Sequence, residues 1–313
     1  MTRHELLRKI TAFPIVASGL AEDLLAGGFR SVFRGQGIEA DEVRRYEMGD
    51  DVRSIDWNVS ARFGTPYVKM YREERELSVF IALDCSASMH CGSVMKRSEQ
   101  AVLAAALLAF SAEHSGQRLG SVFFDTGISR MFPAGKGRPH TLAVITGALR
   151  ECGIDMEADG KYAKYGGMPE KKEKNPKGEE RSSNLGAALA GLERMLKRRS
   201  LIFVISDFFC MNWEQELGRL CRKHDVVAIR ITDPLDAILY NAGLVVMEDP
   251  ETGAKIHAPT AFASFRAAWE NWHRERGDAW KAITRRAGAS PFELSTKEDA
   301  AASFIRFFKS RRR

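Results

Sequence analysis

Three oxygen-rich clusters in this 313-residue chain have side chains suited to chemistry. Asp84-Cys85-Ser86-Ala87-Ser88 sets one carboxylate and two hydroxyls at alternate positions, Ser182-Ser183-Asn184 adds hydroxyls, and Ile205-Ser206-Asp207 brings a second carboxylate. A small hard cation such as Mg²⁺ takes six oxygens at about 2.0–2.1 Å and keeps several of them as water. Asp84, Ser86, Ser88, Ser183 and Asp207 together supply two carboxylates and three hydroxyls on short side chains, which matches that demand. Alternate residues of an extended loop direct their side chains to one side. Each piece also has a plainer reading. Ser182 or Ser183 serves equally as the N-cap of the helix that starts at Leu185, and Asp207 as the cap of the turn after it. The seven histidines show no metal-ligand or triad spacing, and His90, beside the first cluster, reads as incidental.

These clusters need rigid elements to bring them together. Ser78–Leu83, Leu201–Ile205 and Val226–Ile231 are nearly continuous apolar runs of the kind found in strands buried on both faces. Between them helical periods cover about Met95–Glu113, His140–Arg150, Leu185–Lys197 and Trp213–Lys223, with strands at Ser121–Phe124 and Ile128–Phe132. The alternation predicts an α/β fold, a doubly wound, mostly parallel sheet with helices on both faces. In such sheets ligands sit at the carboxyl ends of strands near a switch point. Asp84 and Asp207 fall at two of those ends, with the Ser183 loop between them in sequence. Further on, Gly243–Met247 and Ala254–His257 flank Pro250-Glu251-Thr252-Gly253 as a hairpin. A helix over about Thr260–Arg286, a strand at Pro291–Leu294 and a last helix from Lys297 follow.

The first 76 residues predict an appendage packed on the main domain, which runs from 77 to 313. An amphipathic helix over about 3–26, interrupted near Pro14, ends at the C-cap pair Gly27-Gly28. A segment dense in Arg, Asp and aromatics follows, with a strand-like Pro66–Tyr71. Arg44, Arg45, Asp50, Asp51, Arg53, Asp56 and Arg62 around Tyr46 and Trp57 predict an ion-pair network clamping this layer down, because buried charges persist only when paired. From about Asp159 to Arg181, Lys, Glu, Gly and Pro predominate, and the segment is expected to be a mobile insertion.

Composition excludes several classes. The longest apolar run, Ala101–Phe110, falls well short of the roughly 20 residues that span a bilayer. The N-terminus has no hydrophobic signal core, so the expected compartment is the cytoplasm. Five cysteines, odd in number and without a C-x-x-C pair, suggest neither a disulfide framework nor a zinc site. A net charge of +6 comes from 47 basic and 41 acidic residues spread along the chain, without a nucleic-acid-binding signature.

Leu83-Asp84-Cys85-Ser86-Ala87-Ser88-Met89 resembles the metal-ion-dependent adhesion site (MIDAS) loop of von Willebrand factor A domains. Ser183-x-Leu185-x-x-Ala188-Leu189 is similar to that fold's second metal loop, which is usually Thr-led, and Ile205-Ser206-Asp207 to its third. Upstream, Arg34-Gly35-Gln36-Gly37-Ile38-Glu39 and the block Gly49-Asp50-Asp51-Val52-Arg53-x-Ile55-Asp56-Trp57 resemble the signature of the bacterial family called domain of unknown function 58. The resemblance implies a von Willebrand factor A-like, Rossmann-like sheet and Mg²⁺ or Mn²⁺ held by Ser86, Ser88 and Ser183, with Asp84 and Asp207 binding directly or through water. It further implies a protein partner whose acidic residue fills the open metal position, and a MoxR-type AAA+ ATPase as the companion in chaperone-like assembly or maturation. Serine in place of the family's Thr keeps the oxygen but is freer at χ1, which bears on metal affinity more than on geometry.

The expected function is therefore a non-enzymatic, metal-dependent protein-binding module. The competing reading is a haloacid dehalogenase-like metal-dependent phosphohydrolase, which also places Asp after a buried strand. That chemistry needs a second carboxylate two residues on as general acid and base, where this chain has Ser86.

Overall fold

The structure, a computed structural model, describes residues 3–26, 36–72, 78–154 and 184–311. The expected insertion at 159–181, Ser182, Ser183 and the Gly27-Gly28 cap lie outside those residues. In chain order the elements are α1 (Arg3–Ala26), β1 (Gln36–Arg45), α2 (Trp57–Phe63), β2 (Tyr67–Arg72), β3 (Ser78–Asp84), α3 (Arg97–His114), β4 (Arg118–Phe124), β5 (Ile128–Gly135), α4 (Arg138–Glu151), α5 (Leu185–Met195), β6 (Ser200–Ser206), α6 (Glu214–Cys221), β7 (Asp225–Thr232), α7 (Pro234–Ala237), β8 (Leu244–Glu248), β9 (Lys255–Pro259), α8 (Ala263–Ala287), β10 (Ser290–Ser295) and α9 (Ala300–Arg311).

The apolar runs form the centre of a six-stranded sheet ordered β10-β7-β6-β3-β4-β5. Side chains alternate along each strand, so Val79, Ile81 and Leu83 of β3 enter one core while Phe80 and Ala82 enter the other. The same division holds for Leu201, Phe203 and Ile205 against Ile202 and Val204 in β6. The first core is closed by α1, α3, α4 and α9, the second by α5, α6 and α8. Neighbours are parallel except β4 and β5. The short link between those two strands permits a hairpin and is too short for a crossover. The chain thus has a mixed α/β fold with a mostly parallel central sheet. From β3 it steps outward to β4 and β5, then returns to β6 on the other flank of β3 and continues to β7 and β10. The direction of winding reverses between β3 and β6, and Asp84 and Asp207 stand at that reversal.

Helix α1 runs through Pro14 without interruption. Proline inside a helix costs about 3 kcal/mol, but Leu6, Leu7, Ile10, Phe13, Ala17 and Leu20 are all buried in the first core. At about 1.5–3 kcal/mol for each large apolar side chain, packing outweighs the local penalty. Helix α3 lies between α1 and the sheet, and every residue from Ala101 to Phe110 is buried, which is why its sequence is apolar all round. Among the described residues no helix is long and apolar enough to cross a membrane.

The upstream signature block folds differently from the expected clamp. Strands β1 and β2 pair as an antiparallel ribbon. Asp51 accepts the Arg53 N–H, and Asp56 accepts the N–H groups of Asn58 and Val59. Arg44 and Asp50 form an ion pair at 2.6 Å. Trp57, at 67% exposure, stands in solvent and is not the centre of a buried charge network. Gly49 sits at φ +116°, a conformation side-chain-bearing residues rarely adopt, and so makes the turn between Glu47 and Asp50 possible.

Candidate metal centre

Strand β3 stays in register with β4 to its last residue, and the Cys85 N–H extends the ladder to the Phe124 carbonyl at 2.8 Å. Asp84 is thereby fixed at the strand end and fully buried. Its Oδ1 accepts the Ser86 N–H at 2.9 Å and its Oδ2 the Ser206 hydroxyl at 2.6 Å. The loop then turns into a 3-10 turn, Ala87–His90. Ser86 and Ser88 therefore share a side through this turn and not through an extended loop, and their hydroxyls lie 3.2 Å apart. Both are buried, whereas His90 is exposed.

Asp207 follows β6 and is 2% exposed. Its Oδ1 accepts the Phe209 N–H at 3.0 Å, while its Oδ2 is sealed from solvent without a hydrogen-bond partner. The next residue, Phe208, adopts φ +55°, an outlier for a bulky side chain. Aromatic packing holds it there, with ring centroids 5.1 Å from Trp213 and 5.4 Å from Trp280. This sharp turn keeps the Asp207 carboxylate at the strand end.

Burial pushes the Asp84 carboxyl up to about 7, and the like charge of Asp207 adds to the shift against the Ser206 and Ser86 hydrogen bonds. Burial also raises Asp207, opposed by the Phe209 N–H and the positive charge of Arg97. Burying two carboxylates near each other opposes their joint ionisation.

Four contributors escaped the sequence reading. Ser206 was visible only as the neighbour of Asp207. Arg97 donates to the Ser88 carbonyl at 3.3 Å and to Asp236 at 2.6 Å, and burial opposes its charge while Asp236, Asp207 and Asp233 hold its pKa above the ordinary value. Asp233 ties the same loop down by accepting from the Ser93 N–H and hydroxyl and from the Thr296 hydroxyl. Glu251, on the β8–β9 turn, accepts the Ser88 N–H at 2.8 Å. No sequence signal connects these residues to Asp84.

The N-cap of α5 is Asn184, whose Oδ1 accepts the Ala187 N–H at 2.9 Å, so capping does not fall to Ser182 or Ser183. The Asn184 N–H donates to the Asp125 carbonyl at 2.9 Å, which anchors the start of α5 beside the end of β4. Ser183 itself lies outside the described residues. Among the described residues no three His, Cys, Asp or Glu side chains converge as a metal-binding group. Cys85 and Cys152, distant in sequence, are buried thiols with sulfurs 3.2 Å apart.

Comparison with known proteins gives relatives without an assigned activity. The uncharacterized proteins Mb1516 of Mycobacterium bovis and Rv1480 of Mycobacterium tuberculosis are each 31% identical over 300 residues, covering 93% of this chain and 85% of theirs. MAV169 of Mycobacterium avium, also uncharacterized, is 38% identical over 137 residues, covering 42% of this chain and 77% of its own. Among solved structures, the conserved hypothetical protein BatB from Bacteroides thetaiotaomicron aligns with 75% of this chain and 99% of its own at 14% identity and TM-score 0.40. Proximal thread matrix protein 1 from the mussel byssus aligns with 50% and 37% at 15% identity and TM-score 0.33. The family model described as protein of unknown function DUF58 matches residues 42–279, which takes in the signature block, β3 with Asp84 and β6 with Asp207. The chain belongs to the DUF58 family.

Proposed function

We propose that the chain is a non-enzymatic protein-binding module whose Asp84, Ser86, Ser88 and Asp207, with Ser183, hold Mg²⁺ or Mn²⁺ in a von Willebrand factor A-like MIDAS. The observation that carries this reading is the buried, unpartnered Oδ2 of Asp207 close to a second buried carboxylate, Asp84, at the reversal of the sheet. An orphaned carboxylate oxygen is costly unless a cation faces it, and an all-oxygen donor set suits a hard divalent ion. When bound, the ion supplies a Lewis-acidic open position for an acidic side chain of a partner protein. The chain's own residues do the rest. Ser206 and the Ser86 N–H orient Asp84. Arg97, tied to Asp236, fixes the Ser88 carbonyl and so the hydroxyl-bearing turn.

The absence of an acid two residues after Asp84 supports binding over hydrolysis, since the Ser86 hydroxyl there is engaged with Ser88. The resemblance in the metal loops and signature block motivates a MoxR-type AAA+ ATPase as partner, in chaperone-like assembly in the cytoplasm. The test is capture of a purified MoxR-type ATPase by the immobilised chain in Mg²⁺ and in chelator, with Asp207→Ala as control. Capture that needs Mg²⁺ and Asp207 supports the proposal. Capture indifferent to both contradicts it, and phosphate release from phosphoesters lost in Asp84→Asn would favour the hydrolase instead.

A further inference from the structure

The β8–β9 hairpin stands outside the central sheet as a separate two-stranded unit. Its pairing sets Val245, Met247, Ile256 and Ala258 on one face, with Ala258 buried, Val245 and Met247 half-buried and Ile256 exposed, while Leu244, Val246 and His257 on the other face stand in solvent. The turn at its tip is tightly pinned. The Asp249 carboxylate accepts the Glu251 N–H at 3.0 Å and the Thr252 hydroxyl at 2.7 Å, and Gly253, at φ +72°, donates its N–H to the Asp249 carbonyl at 2.7 Å. A turn so constrained delivers one side chain to a fixed place. That side chain is Glu251, whose Oε1 accepts the Ser88 N–H at 2.8 Å across 163 positions of sequence.

The contact is with the turn that carries the Ser86 and Ser88 hydroxyls. The second oxygen, Oε2, is sealed from solvent with no hydrogen-bond partner. An acidic side chain is therefore brought from a separate hairpin to the turn that bears Ser86 and Ser88, with one of its oxygens buried and without a donor. A cation held by Asp84 and Asp207 would face that unpartnered oxygen and account for the placement.

We propose that Glu251 is the chain's own acidic occupant of the site, and that the carboxylate of a binding partner engages by displacing it. The proposal rests on the metal-dependent reading above. The hairpin tip then sets how readily an outside acid enters, since a ligand that needs a minor, open state binds more weakly by the fraction of that state.

The test uses the full chain, Mn²⁺ as the probe ion and acetate as the competing carboxylate. Water proton relaxation reports the water on bound Mn²⁺, and its decrease on adding acetate gives a midpoint. A charge-assisted hydrogen bond contributes about 1.5–3 kcal/mol, so Glu251→Ala lowers the acetate midpoint about tenfold or more. Glu251→Gln keeps an acceptor for the Ser88 N–H without the charge; it lowers the midpoint by a smaller factor and decides the matter if Glu251→Ala loosens the hairpin. Equal midpoints in the wild type and Glu251→Gln, with Mn²⁺ bound by both, overturn the role of Glu251 and leave the metal reading intact. Absence of Mn²⁺ binding by the wild type, or undiminished binding by Asp84→Ala, overturns the metal reading and this inference with it.

Discussion

The Ser206 hydroxyl donates to Asp84 Oδ2 across 2.6 Å and also accepts the Phe208 N–H at 3.0 Å, so one side chain joins the ends of two adjacent parallel strands. It satisfies a buried carboxylate and the strained residue that follows Asp207. Ser206→Ala removes both bonds from a fully buried position. The expected loss is about 1–3 kcal/mol in stability, read as a lower urea midpoint. An unchanged midpoint contradicts this linking role.

Arg97 and Asp236 form a second buried link, at 2.6 Å with side-chain exposures of 9% and 15%. Removing one member of such a pair strands the other charge, at about 3–5 kcal/mol. Asp236→Ala is therefore expected to destabilise by that order in urea denaturation. Replacing both residues with leucine is expected to cost less than Asp236→Ala alone. A double variant at least as unstable as the single one contradicts the argument.

The elements that carry the site were legible because their residues report their surroundings. Val79–Leu83 and Leu201–Ile205 are apolar on both faces because helices cover both faces of the sheet, and Asp84 and Asp207 mark where those runs stop. The hairpin around Pro250–Gly253 was equally readable from its turn residues. What escaped depends on long-range packing. The continuity of α1 through Pro14 follows from its contact with α3, and no local pattern near Pro14 encodes that contact. Ser206 and Glu251 meet the Asp84 loop across 122 and 163 positions, Arg97 is held at that loop by Asp236, 139 positions on, and Cys85 meets Cys152 across 67. Trp57, expected inside a charge network, is exposed, and Asp51 and Asp56 accept backbone N–H groups of the turns they precede, an option that local sequence leaves open.

His224 offers a pH test away from the site. It is 3% exposed, and neither ring nitrogen has a hydrogen-bond partner. Burial, with Lys223 and Arg199 adding repulsion, pushes its pKa below the ordinary 6.5. The folded state disfavours the proton, so this contribution to stability is complete above pH 6.5 and is lost as pH falls through the lowered folded value. The difference in urea midpoint between wild type and His224→Leu is expected to shift in favour of the leucine variant on going from about pH 7.5 to about pH 5. A difference independent of pH contradicts the assignment.

The thiols should react in a definite order. Of five free cysteines, Cys91 is exposed, while Cys85 and Cys152 are buried against each other. The hydrogen bond to Cys152 and burial push the Cys85 thiol well up, and burial pushes Cys210 and Cys221 up to about 12. Burial raises the Cys91 thiol as well, so exposure sets the order: a thiol reagent on the folded chain is expected to show one fast equivalent, abolished by Cys91→Ser, with the rest following on denaturation. Fast modification of Cys85 contradicts the buried pair.

The central claim is that Asp84 and Asp207 hold a divalent cation. Isothermal titration calorimetry of Mg²⁺ and Mn²⁺ into the wild type, Asp84→Ala and Asp207→Ala tests it most directly. The account predicts a saturable one-site binding heat in the wild type that is lost in both variants. Equal heats in all three proteins, or no binding in the wild type, would contradict it.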